Sequence, residues 1–88
     1  MNQVIVLGFV SDIDLVKNVF TFSIPRSKYN NEKVINDTFI CKGWKLLHKN
    51  ITSLLKINDQ LLLKGRIQED EGKYYILVES YQIIQRKV

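Results

Sequence analysis

The sequence predicts an all-β domain, a small and partly open five-stranded barrel with one helix between its third and fourth strands. Three observations lead there. Five strand-like runs, rich in Val, Ile, Phe and Tyr, are separated by polar or Gly-, Asn- and Asp-containing breaks. One stretch between the third and fourth runs carries apolar residues at helical spacing. The chain has 88 residues, which is room for one domain and one core.

The first strand is read over Gln3–Val10. Val4, Ile5, Val6 and Leu7 are consecutive and apolar, so both faces of the strand need cover. The core covers one face; the other calls for a second subunit. Gly8 interrupts the run and is expected at a bulge or sharp bend. Phe9 is open between a stacking group and part of a subunit contact. The segment "SDIDLVKN" reads as turn and connection, with Asp12 and Asp14 as turn formers rather than a metal pair. The second strand, Val19–Pro25, alternates: Phe20, Phe22 and Ile24 on one face, Val19, Thr21 and Ser23 on the other. Thr21 and Ser23 fit either a face passing under a ligand or any solvated strand face. Pro25, without an N–H, closes the strand.

"RSKYNNEK" is a polar loop with one aromatic, Tyr29. The third strand runs from about Val34 to Trp44, with Phe39, Cys41 and Gly43 toward the core and Thr38, Ile40, Lys42 and Trp44 on an accessible face. Residues 45–56 read as a helix, because Leu47, Ile51, Leu54 and Leu55 form one apolar stripe that leaves His48 toward solvent. Asn58–Asp59 ends it. The fourth strand, Gln60–Gln68, is apolar on both sides at "LLL"; "EDEG" is a tight turn; the fifth strand, Lys73–Gln85, completes a hairpin. This order of elements is that of an OB-fold.

A chain this short buries roughly 60–65% of its unfolded surface, so its stability is marginal without help. Cys41 is the lone cysteine, so no disulfide supplies that help, and no His/Cys cluster offers a metal site. Oligomerisation remains, and a homodimer or homotetramer is expected. An unpaired cysteine suits a reducing cytoplasm. The longest mainly apolar run, Val4–Val10, is far short of the roughly 20 residues of a membrane-spanning helix, and "MNQ" lacks the basic start of a signal peptide. No nucleophile–base pair, glycine-rich phosphate loop or paired carboxylates appear, so neither enzymatic activity nor a cofactor is expected. Between Arg26 and Lys56 stand seven basic and two acidic residues, a net of +5 within a chain of net charge +4. Charge so localised points to an anionic partner, with an ordinary lysine-rich surface as the competing explanation.

Several stretches resemble bacterial single-stranded DNA-binding proteins. "NQVIVLGFVSDIDL" is similar to the family's opening, "VFTFSIPR" to its second strand, "ICKGWKLLHKNITSLLKINDQLLLKGRI" to its third strand, helix and fourth strand, and "LVESYQII" to its last strand. The likeness spans nearly the whole chain and rests on order and spacing rather than on one motif. It implies non-sequence-specific binding of single-stranded DNA in replication, recombination or repair. Three departures matter. The family's flexible tail with an acidic tip is not seen after Lys87–Val88, which implies that tail-based recruitment is absent. The connection "QEDEGK" is short. Thr38 stands where a second aromatic is common, six residues before Trp44. The chain also resembles the related primosomal replication protein, a compact OB dimer.

Binding single strands without sequence preference takes a basic groove for the phosphates and flat side chains for the bases. With the resemblance, Trp44 is the leading stacking candidate; the alternative is a strand-end Trp packed against the helix. Lys42 shares its strand face, and Lys45 follows at the strand–helix junction. Arg26, Lys28, Tyr29 and Lys33 form a second basic group in the loop after Pro25, whose Tyr29 either reaches over the groove or folds back on the barrel. Thr38 lies on the Trp44 face. Tyr74 is read as the outward member of the Tyr74–Tyr75 pair. Two other functions stay open: an assembly subunit or primosome-like adaptor that meets replication proteins, and RNA binding, since nothing in the sequence reads a 2′-hydroxyl.

Overall fold

A computed structural model of the chain describes residues 2–26, 35–43 and 50–86. Among these residues, five strands and one short helix follow in the order β1 (Val4–Asp14), β2 (Val19–Pro25), β3 (Asn36–Gly43), α1 (Ile51–Leu54), β4 (Gln60–Asp70) and β5 (Lys73–Gln85). The strands close into a barrel in the order β1-β2-β3-β5-β4. Neighbours are antiparallel except β3 and β5, whose parallel pairing is confined to Cys41–Gly43 against Ile76–Val78. A closed five-stranded barrel with a helix between its third and fourth strands is an OB-fold.

The inward half of each alternation builds the core. Phe20 and Phe22 from β2, Cys41 from β3, Leu61 and Leu63 from β4, and Ile76 and Val78 from β5 are buried together with Val10. Ile51 and Leu55 plug one end of the barrel. The two Phe rings meet edge to face, centroids 6.5 Å apart.

β1 is longer than its sequence reading, because it changes partners midway. Val4–Phe9 pairs with β4, while Phe9–Asp14 pairs with β2, so Phe9 stands opposite both Gln60 and Ser23. All of "SDID" is therefore strand, and only residues 15–18 turn, with Asp14 Oδ1 accepting from the Lys17 amide at 3.1 Å. Gly8 is not the bulge. The register shift lies between Val10 and Asp12, at Ser11. Gly8 instead marks a close crossing, since a Cβ there would lie 2.3 Å from the Ser23 carbonyl oxygen.

Ser23 departs from its reading as part of a solvated face. It is buried, and its hydroxyl donates to Ser11 Oγ at 2.8 Å, because the bulge of β1 folds over this end of β2. The helical stripe also changes. α1 is a single turn, and the backbone is already extended at Leu55 (φ −105°, ψ 155°). Ile51 and Leu55 face the core, whereas Leu54 is 60% exposed rather than part of the stripe. Leu47 and His48 lie outside the described residues.

The segment after α1 is tied down twice. The Asn58 amide donates to the Val10 carbonyl at 2.7 Å, and Asn58 itself takes the left-handed conformation that asparagine tolerates (φ 75°). Asp59 is buried and receives Arg86 Nε and a terminal Arg86 nitrogen, each at 2.9 Å, plus the Lys56 amide at 2.8 Å. Arg86 also donates to the Leu54 carbonyl. The guanidinium, chiefly, holds the Asp59 carboxyl below its ordinary pKa. At the other end, Glu71 (φ 51°) and Gly72 (φ 79°) make the two-residue turn of the β4–β5 hairpin.

Candidate nucleic-acid interface

Outward residues of β2, β3 and the first half of β5 make one wall. Cys41 faces in, so Ile40 and Lys42 face out, and Thr38 follows in the same alternation. Thr38 and Ile40 are exposed; Lys42 is half-buried. On β2, Thr21 stands opposite Ile40 and Val19 opposite Lys42. On β5, Ile76 and Val78 face in, which turns Tyr75 and Leu77 outward, and Leu77 is the register partner of Lys42.

This register brings together two groups that the sequence left apart. The Lys42 ammonium sits over the Tyr75 ring, 4.3 Å from its centroid. The Tyr75 hydroxyl donates to Gln68 Oε1 at 2.8 Å, across the β4–β5 ladder. On its other side Lys42 borders a cleft of about 510 Å³, shared with Lys17, Asn18, Val19 and Gly43. Lys17 and Tyr75 were absent from the sequence candidates. The alternation of "YYILV" carries a signal for Tyr75 facing out, but only the parallel β3–β5 register places it beside Lys42.

The remaining candidates divide. Tyr74 is 68% exposed, yet it lies on the opposite face of β5 from Tyr75 and Lys42. Arg26 is engaged by Asp37: its Nε donates to both carboxylate oxygens at 2.9 and 3.0 Å, and a terminal nitrogen approaches Oδ1 at 2.7 Å. That pairing holds the Asp37 carboxyl below its ordinary pKa. Trp44, Lys45, Lys28, Tyr29 and Lys33 lie outside the described residues. Cys41 is buried in the core, which pushes its thiol pKa up to about 12 and leaves it unreactive at neutral pH. Among the described residues no cluster of His, Cys, Asp or Glu could hold a metal ion, and no helix is long and apolar enough to cross a membrane.

The opposite wall is different. Outward from β1 stand Ile5, 64% exposed, and Leu7, 51% exposed, with Leu62 of β4 opposite Leu7. Among the described residues, pairing with β2 begins at Phe9 and the stretch Val4–Gly8 pairs with β4 alone. Phe9 is half-buried and borders a cavity of about 550 Å³ with Leu7, Pro25 and Asn58.

No family model and no curated protein matches this sequence. Solved structures do match in fold. A small single-stranded DNA-binding protein from Streptomyces coelicolor superposes with a TM-score of 0.67 at 15% identity, over 92% of this chain and 90% of that one. A mitochondrial single-stranded DNA-binding protein from S. cerevisiae gives a TM-score of 0.67 at 6% identity, over 98% and 97% of the two chains. A small single-stranded DNA-binding protein from Mycoplasma pneumoniae gives 0.61 at 16% identity, over 100% and 99%. At such identities the likeness establishes the OB-fold.

Proposed function

We propose that this chain binds single-stranded DNA without sequence preference, as a non-enzymatic member of the single-stranded DNA-binding family serving replication, recombination or repair. One observation carries the reading. The outward row Thr38–Ile40–Lys42 of β3 is accessible, and its lysine borders a cleft edged by a second lysine, Lys17. The fold likeness to three single-stranded DNA-binding proteins supports it. Lys42 and Lys17 hold phosphates, and the roles proposed for Trp44 and Lys45, next along the chain, are a stacking ring and a further cation. The second basic group, Arg26, Lys28, Tyr29 and Lys33, lies at the β2–β3 connection.

The working form is a homodimer. Ile5 and Leu7 of β1 and Leu62 of β4 offer a second copy apolar area. The adaptor reading draws on the same wall, and it differs in leaving nucleic-acid affinity unaffected by loss of Trp44.

The test is a titration of the intrinsic fluorescence of Trp44, the chain's only tryptophan, with oligo-dT at two salt concentrations. Quenching is expected, with affinity falling on a log–log slope of roughly −0.7 per phosphate contacted. Unchanged fluorescence and no retention of oligo-dT at low salt would refute the proposal. Competition with a matched RNA strand separates DNA from RNA preference.

A further inference from the structure

We propose that Tyr75 is a base-stacking platform and that Lys42 caps it in the free protein, its ammonium leaving the ring for a phosphate when a single strand binds. The inference rests on the single-strand-binding reading above and names the residues that answer the strand.

The argument starts from alternation. Ile76 and Val78 face the core, so Tyr75 must project from the outer surface of the barrel. A phenol ring there is half-buried and oriented rather than free, because its hydroxyl is held by Gln68 Oε1 at 2.8 Å. A ring fixed before binding loses little freedom when a base settles on it. The parallel register then sets Lys42 opposite Leu77 and brings its ammonium to 4.3 Å from the centroid of the ring. The same lysine borders the cleft it shares with Lys17. Lys42 therefore stands between two sites of different chemistry, an aromatic face on one side and a basic hollow on the other.

The two arrangements are unequal. A cation over a ring at a surface site is a weak contact. A base stacked on the same ring is stronger, and a lysine paired with a phosphate gains further by releasing counterions from the strand. Exchanging one weak contact for two stronger ones runs toward the bound state, and more so at low salt. It also couples the two handles of the ligand, since the ring is bared as the phosphate is taken.

The experiment uses the full chain. In proton NMR the Lys42 ε-methylene lies upfield of the other lysines in the free protein, shielded by the Tyr75 ring, and Tyr75→Leu abolishes that shift. Saturation with oligo-dT returns the Lys42 signal to the ordinary lysine position. Tyr75→Leu weakens oligo-dT binding about tenfold, the size of one lost base stack, while Tyr75→Phe, which keeps the π face, retains wild-type affinity. Lys42→Met flattens the salt dependence by roughly 0.7. A wild-type chain that binds oligo-dT while Lys42 stays shielded at saturation, or a folded Tyr75→Leu variant that binds as tightly as wild type, overturns the inference and leaves single-strand binding standing. A wild-type chain that does not bind oligo-dT overturns both. If Tyr75→Leu fails to fold, the Lys42 signal of the wild-type chain decides alone.

Discussion

The two walls of the barrel share one construction and differ in what they turn outward. On β1 and β4 the outward row holds Ile5, Leu7 and Leu62, apolar and exposed, with a single cation, Lys64, opposite Ile5. On β2, β3 and the start of β5 it is Val19, Thr21, Thr38, Ile40, Lys42, Tyr75 and Leu77, a mixture of aliphatic, small polar, cationic and aromatic side chains. The inward rows on both sides are apolar and fill one core, aliphatic on β1 and β4 and joined by Phe20, Phe22 and Cys41 on the other side. The fold is therefore specified by half of the alternation, and the other half carries the distinction between a wall suited to a second protein chain and a wall suited to a polyanion.

The contrast breaks most completely at Gly65, where the walls join. β4 and β5 shift register between Lys64 and Gly65, and Gly65 faces Val78 in the short stretch of β5 that closes the barrel onto β3. A Cβ at Gly65 would sit 2.1 Å from the Leu77 carbonyl oxygen, which is backbone and cannot swing aside. Gly65→Ala is expected to cost about 3 kcal/mol or more, the upper range for overpacking, and to unseat Leu77 and with it Lys42 from Tyr75. Urea unfolding measures it. Gly72→Ala is the control: nothing lies within 4 Å, so only the strain of a positive φ, +79°, remains, worth about 1 kcal/mol.

A charge on the apolar wall sharpens the contrast instead. Leu7→Lys adds a cation at a residue already half exposed, so the stability of the single subunit should change little. Sedimentation is expected to shift from dimer to monomer at micromolar concentration, while Lys42 and Tyr75 stay in place. A wild-type chain that sediments as a monomer removes the reason for an apolar wall.

Arg86→Met acts on the end that both walls share. It leaves the buried Asp59 carboxylate without its guanidinium, and the urea midpoint should fall with the m value unchanged. The pH dependence follows from sign. Asp59 has a folded pKa below its unfolded value, so it binds a proton less readily when folded. Its contribution to stability is complete above the ordinary aspartate value of about 3.9 and is lost as pH falls toward the folded pKa. Without Arg86 the burial of the carboxyl opposes ionisation, and acid unfolding should move to higher pH. Thermal melts between neutral and acid pH test this.

Alternation made most of the barrel legible. β2 and β5 were readable to their ends because Pro25 stops one and the "EDEG" turn starts the other. β1 was misjudged because a strand that changes partners midway leaves no mark in a one-dimensional pattern; Gly8 recorded the crossing but looked like a bulge. Leu54 was misplaced because the single turn of α1 buries Ile51 and Thr52, and it is the extended backbone just after it that turns Leu55 inward. In the candidate site, the face carrying Thr38, Ile40 and Lys42 was legible from the period of two. The Lys42–Tyr75 contact was not, since it depends on a parallel register between strands more than 30 residues apart in sequence.

The smallest expected effect concerns a cation at the rim of the barrel, beside the polar wall. Arg26 and Asp37 face each other at the end of the β2–β3 ladder, both well exposed, so their pairing contributes little to stability. Asp37 shares the alternation of Phe39 and Cys41 rather than that of Thr38 and Lys42, so the pair sits at the rim of the barrel and occupies a guanidinium that a strand leaving the groove would meet. Asp37→Asn removes the partner charge and leaves Arg26 free to meet a phosphate. The melting temperature should not change, oligo-dT should bind somewhat more tightly, and the salt dependence should steepen by roughly 0.7 if one more phosphate is engaged. Arg26→Gln in the same background should return the slope to the wild-type value. A slope that Asp37→Asn leaves untouched would place Arg26 off the path of the strand and confine the groove to the side of the wall that carries Lys42 and Tyr75.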